Sequence, residues 1–101
     1  MILILVSFEQ MEHAEKAANY LIDHKLAACV EIFPVTNFYV WDGEKQKNSE
    51  ISGIIKTTSE NYEKVKAALE EILPYDIPQI IKVDATANDS YEKWVKESVK
   101  S

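Results

Sequence analysis

Apolar residues open the chain as one unbroken run, Ile2 to Val6, which predicts a central strand covered on both faces. From about Glu9 to His24 the period changes. Met11, Ala14, Ala17, Ala18, Leu21 and Ile22 recur at spacings of three and four, giving a helix with one apolar stripe of small residues. From Ala28 to Trp41 the residues become β-branched and aromatic, Asp42-Gly43 supplies a two-residue turn, and Lys45 to Thr58 returns as a second arm. Both glycines of the chain lie in this hairpin, and Gly53 inside the returning strand predicts a bulge or a close backbone approach. Pro34 in the opposite arm predicts a bend and an interrupted ladder.

A second helix follows over Glu60 to Leu73, capped by Thr58-Ser59, with Tyr62, Val65, Leu69 and Ile72 on its apolar face. Pro74 and Pro78 stiffen the connector that comes next, and Gln79 to Ala85 forms a fourth strand. Asp89 and Glu92 have the spacing of a capping box opening a last helix that carries Tyr91, Trp94, Val95 and Val99. The order β-α-β-β-α-β plus a helix predicts an α+β, ferredoxin-like sandwich formed as one domain over residues 1–101. That arrangement hosts many unrelated functions.

The hairpin is longer than such a domain needs. Arms of about 13 residues span about 43 Å at ~3.3 Å per residue. A compact domain of this length has a radius of gyration of only about 13 Å. The distal half must overhang its own core, and it carries Val35, Phe38, Tyr39, Val40 and Trp41. An aromatic ribbon left bare is an aggregation hazard, so pairing with further subunits in closed symmetry is the expected resolution. The alternative is a flap folded back onto its own sheet.

Charge narrows the partners. Net charge is −6, and all 11 basic side chains are lysine. Without arginine the bidentate fork for phosphates and guanine edges is missing, which argues against nucleic acid and anionic membranes. The acidity either attracts cations or simply keeps a small protein soluble. Cys29 is the sole cysteine, so disulfides are out and a reducing compartment is expected. The opening apolar run is too short for a signal-peptide core or a membrane span and lacks a basic lead, so the reading is a cytoplasmic protein.

Four separated stretches, Leu26-Ala-Ala-Cys-Val30, Phe38-Tyr-Val-Trp-Asp-Gly-Glu44, Ile54-Ile-Lys-Thr57 and Pro74-Tyr-Asp-Ile-Pro-Gln-Ile-Ile81, resemble the CutA family in order and spacing, as do Tyr91 and Trp94. The resemblance runs from about residue 2 to residue 98. It implies a stable homotrimer related in architecture to PII signalling proteins and linked to tolerance of divalent metals, copper in particular. In some members a histidine or His-His pair precedes the Pro-Tyr, and a cysteine lies in the first strand. Here those positions are Ile72, Leu73 and Val6, which bind no metal, leaving Cys29 as the soft ligand candidate. A free cysteine is equally a buried hydrophobe.

Other chemistry is sparse. His13 and His24 lie about 16 Å apart along one helix, so they cannot share a metal and are read as surface histidines. If Asp42-Gly43 is a two-residue turn, Cys29 falls opposite Lys56 in an unbulged ladder, where a lysine favours thiolate; a bulge at Gly53 breaks that register. Trp41, Glu44, Lys56, Tyr75 and Asp76, with Phe38 and Tyr39, form either a ligand pocket between subunits or cement in their interface. No Cys-x-x-Cys, four-cysteine cluster, glycine-rich phosphate loop or Ser/Cys–His pair is visible. The expectation is a non-enzymatic trimer that tolerates and weakly binds divalent cations, with no obligatory cofactor. The alternative is a PII-like sensor or adaptor with a small-molecule or protein partner. An enzyme using the interfacial pocket is the third reading.

Overall fold

The computed structural model describes residues 1–100. Strand β1 (Ile2–Phe8) occupies an inner position in an antiparallel sheet ordered β2-β3-β1-β4. Ile2, Ile4, Val6 and Phe8 are fully buried, whereas Leu3, Leu5 and Ser7 are half-buried. The expectation of a strand covered on both faces therefore needs correction. Helices α1 (Met11–Asp23) and α2 (Tyr62–Ile72) cover one face through Ala14, Ala17, Leu21, Val65 and Leu69. The other face is roofed at one end, where α3 (Asp89–Ser98) brings Tyr91 over Lys56 and Glu92 onto the Met1 amine. The α1 stripe is narrower than its periodicity suggested, since Met11 and Ile22 stay exposed.

Strands β2 (Cys29–Trp41) and β3 (Glu44–Thr57) form the predicted hairpin, and Asp42 and Gly43 both adopt positive φ in its turn. The ladder runs without a break from Cys29↔Lys56 to Trp41↔Glu44, so neither the bulge at Gly53 nor an interruption at Pro34 forms. Gly53 answers the close-approach reading instead. A Cβ there would meet Phe8 Cε2 at 2.9 Å and Val6 Cγ1 at 3.1 Å. Pro34 is tolerated because β2 is an edge strand; by the alternation set at a two-residue turn, its missing N–H faces outward.

The predicted overhang is present. Strand β1 pairs with β3 only between Ile51 and Thr57, so Val35–Trp41 and Glu44–Glu50 project past it. The molecule measures 45 × 25 × 20 Å.

The caps differ from expectation. A 3-10 turn, Ser59–Asn61, precedes α2, and Thr58 makes no side-chain cap. Buried Asn61 donates through Nδ2 to Thr58 Oγ1 at 3.0 Å and to the Lys100 carbonyl at 2.7 Å. Lys100 N–H donates to the Lys25 carbonyl at 2.9 Å, so the C-terminal segment is tied to the residues that follow α1 and precede α2. No capping box forms at α3; Asn88 precedes the helix, and the Glu92 carboxylate lies 3.5 Å from the Met1 amine. Strand β4 (Ile80–Asp84) is shorter than predicted at each end.

Candidate functional site: a groove at the root of the hairpin

Leu73 takes an extended conformation, as the residue before a proline should, and ends α2. The connector Pro74–Gln79 then passes the end of β1, where the hairpin leaves the sheet. Between connector and ribbon lies an open groove of about 970 Å³. Five of the predicted residues line it: Phe38, Tyr39, Trp41, Tyr75 and Asp76. Strand alternation puts Asn37, Tyr39 and Trp41 on the ribbon face opposite the helices, beside Asn48 and Glu50 of β3.

Tyr75 anchors the connector. Its Oη accepts the Glu9 N–H at 2.7 Å and lies 2.7 Å from His13 Nδ1. Together the two contacts satisfy the phenol and hold its ring against α1. Burial pushes the Tyr75 hydroxyl up from the ordinary tyrosine value, helped by the Glu9 and Glu50 carboxylates and opposed by the Glu9 N–H. Two side chains across the groove are fixed as well: Asn37 Nδ2 donates to Glu50 Oε1 at 3.0 Å, and Asn48 Nδ2 donates to Tyr39 Oη.

Glu44, Lys56 and Cys29 lie elsewhere. Glu44 is exposed at the tip, paired with Trp41. Lys56 and Cys29 face each other at the base, about 40 Å along the ribbon from Trp41 at ~3.4 Å per residue. A site holding both Lys56 and Trp41 would need two subunits. The Lys56 ammonium sits 3.1 Å from Glu31 Oε1 and 5.5 Å from the Tyr91 ring centre. Glu31 holds its pKa above the ordinary lysine value, burial opposes, and Tyr91 adds to the rise.

Among the described residues no three His, Cys, Asp or Glu side chains come together as a group able to hold a metal ion. Half-buried Cys29 has a cation, not a second ligand, across the ladder, so one chain does not fit a resident copper or zinc. His24 is exposed and stacks on Tyr20, as a surface histidine should. His13 corrects that reading, being half-buried against Tyr75. Glu9, Asn37 and Glu50 line the groove and His13 bonds its Tyr75 wall, and sequence reasoning missed all four roles. Glu9 and His13 lie more than sixty positions from Tyr75, with no spacing signal between them.

Residues 2–98 match the family described as CutA1 divalent ion tolerance protein. The divalent-cation tolerance protein CutA of Pyrococcus horikoshii is 35% identical over 101 residues, covering 99% of each chain. The solved structure of the Archaeoglobus fulgidus CutA, described as a periplasmic divalent cation tolerance protein, superposes with a TM-score of 0.94 at 31% identity, over 99% of this chain and 100% of that one. A CutA from Nostoc, described as a PII-like protein in apo form, superposes with a TM-score of 0.91 at 26% identity, over 99% and 98%. This chain, with its ferredoxin-like sheet and overhanging hairpin, belongs to the CutA1 divalent ion tolerance family.

Proposed function

We propose that the protein is a non-enzymatic homotrimer that confers tolerance to divalent cations and binds them, copper included, weakly. The observation that carries this reading is the overhanging ribbon. Phe38 is 63% exposed, Val40 68% and Trp41 51%, and all sit beyond the reach of their own core. Ile81 and Val83 add exposed apolar surface on the face that α3 leaves open. A patch of this kind marks an interface, and cyclic closure of three edge-bearing sheets covers it. The names of the relatives support the tolerance role, and the net charge of −6 supports weak cation attraction. The lone thiol supports a cytoplasmic site of action, and no described helix is long and apolar enough to cross a membrane.

Light scattering tests the assembly. The expected mass is three times that of the 11.6 kDa chain. Joining Val35 to Glu50 through Asn-Gly, a hydrogen-bonded pair in phase with a two-residue turn, removes the aromatic overhang and should give a monomer. A concentration-independent monomer for the intact chain sinks the trimer. Calorimetry with copper and zinc tests metal binding, and Cys29→Ser decides whether the thiol takes part.

A second reading is favoured by the groove and by the PII-like relative: a sensor that binds a small molecule beside Tyr75 and Trp41 and signals through the assembly.

A further inference from the structure

We infer that the overhanging ribbon folds only on assembly. A lone chain keeps its sandwich but no ordered structure over residues 35–50; closure of the trimer orders the ribbon and completes the groove beside it. This rests on the trimer reading and names a conformational step within it. The first ground is where the ribbon's bonds end. Its arms pair from Val35↔Glu50 to Trp41↔Glu44, and β1 pairs with β3 only from Ile51 onward. Asn37 Nδ2 donates to Glu50 Oε1 at 3.0 Å, Asn48 Nδ2 donates to Tyr39 Oη, and the Lys47 ammonium lies 5.8 Å from the Phe38 ring centre. Each of these contacts joins one arm to the other. Among the described residues, no side-chain hydrogen bond or ion pair runs from residues 35–50 to the sandwich. None of the ribbon's apolar side chains belongs to the cluster packed on the core.

The second ground is energetic. A two-stranded ribbon with no third strand and no packed face is marginal in water. Ordering its residues costs backbone entropy, which burial of apolar surface normally offsets. Here Phe38, Val40 and Trp41 stay more than half exposed in the single chain. The turn at Asp42-Gly43 sets the register when the arms meet and does not supply the missing burial. The sandwich has no such deficit, since Ile4, Phe8, Leu21 and Leu69 are fully buried in one core. Two parts of one chain that differ this much in burial differ in local stability.

The consequence falls on the groove. Asn37 and Asn48 belong to its ribbon wall, Tyr75 and Asp76 to its connector wall. Tyr75 is anchored in the sandwich through Glu9 and His13. The ribbon wall has no such anchor, so the groove is complete only when the ribbon is ordered. Trimer closure and occupation of the groove then stabilise each other reciprocally.

The test compares the full chain in its solution assembly with an Ile81→Lys, Val83→Lys double variant. Both residues lie on β4, at the far side of the sheet from β2, and stand exposed on the face that α3 leaves open. Two ammonium groups there should oppose burial between subunits and give a monomer by light scattering. Hydrogen exchange then reads two sets of ladder amides. Asn37, Tyr39, Gln46 and Asn48 report on the ribbon, Ile4 and Ile55 on the sandwich. In the trimer both sets should be protected. In the monomer the ribbon set should exchange within about tenfold of an unstructured peptide, with Ile4 and Ile55 at least about a hundredfold slower. Ribbon amides as protected in the monomer as in the trimer overturn the inference and leave the trimer standing. A monomer that loses protection at Ile4 and Ile55 as well also overturns it, because the sandwich then needs its neighbours no less than the ribbon does. If the double variant still assembles, exchange is followed against chain concentration. Ribbon rates should fall about fourfold to fivefold for each tenfold rise, as the monomer fraction of a trimer does. Rates that ignore concentration overturn the inference. An intact chain that is itself a monomer removes the trimer reading and this inference together.

Discussion

Replacing Gly53 by alanine should destabilise the fold by about 1.5 kcal/mol, and the structure says why. Alanine normally stabilises a strand interior relative to glycine by about 0.5–1 kcal/mol, through reduced backbone entropy. Here the new methyl would sit 2.9 Å from Phe8 Cε2 and 3.1 Å from Val6 Cγ1, with the Glu31 carbonyl at 3.5 Å. Two carbons attract at about 3.5–4.0 Å, so both contacts are repulsive. Phe8 and Val6 are fully buried, which leaves neither room to yield. Overpacking of this kind costs about 1–3 kcal/mol, more than the entropy gain offsets. Urea unfolding at one fixed protein concentration should show a lower midpoint with an unchanged slope. Trimming the ring with Phe8→Leu should cost less in the Gly53→Ala protein than in the wild type, with a coupling of at least about 0.5 kcal/mol. A Gly53→Ala midpoint at or above that of the wild type refutes the clash, and so does strict additivity with Phe8→Leu.

Asn61→Asp should cost about 2–4 kcal/mol, because it turns a buried donor into an anion facing the Lys100 carbonyl. The melting temperature should fall by at least about 10 °C, and a fall under about 3 °C would rule the clasp out. In an absorbance titration at alkaline pH, Tyr75 should ionise later than a tyrosine of ordinary value 10.0, and Tyr75→Phe should remove that late step. Since the fold raises this pKa, the associated stability is present below the unfolded value and is lost as pH climbs through the folded one. A Tyr75→Phe protein that keeps the same late step would contradict the assignment.

How much was legible follows the range of each signal. The hairpin was clear because its determinants are local: Asp42-Gly43 fixes the turn, and the turn fixes the register down to Cys29↔Lys56. The overhang was clear because it needs only arm length and a domain radius. Phe38, Tyr39, Trp41 and Tyr75 were named because they sit in the stretches that resemble the CutA family, and all four line one groove. Its polar half was hidden. His13 finds Tyr75 across most of the chain, and Glu50 owes its fixed carboxylate to a cross-strand Asn37. Neither pair leaves a period in the sequence. The caps failed for a related reason: Asn61 and Glu92 are claimed by the two ends of the chain, which a local motif cannot foresee.

The ribbon's edges show how one strand pair can serve both assembly and binding. At a two-residue turn Trp41 and Glu44 form the hydrogen-bonded pair, so even positions of β2 and odd positions of β3 turn their backbone groups outward. On β3 those of Ile51 to Thr57 are taken by β1, and beyond Phe8 those of Lys45, Lys47 and Ser49 have no strand beside them. Two lysines on a bare edge discourage strand addition there, which keeps the groove side open to a small ligand. On β2 the outward set includes Pro34, which has no N–H to give and divides the edge into Val30–Ile32 near the core and Thr36–Val40 on the overhang. The distal piece is free of charged side chains, ends in exposed Phe38 and Val40, and retains every backbone donor. It is therefore the edge best suited to meet a neighbouring subunit. A proline at Phe38 should weaken assembly far more than a proline at Lys47, even though the two residues face each other across the same rung. Equal loss of assembly from both substitutions, measured by light scattering, would refute this division of the edges.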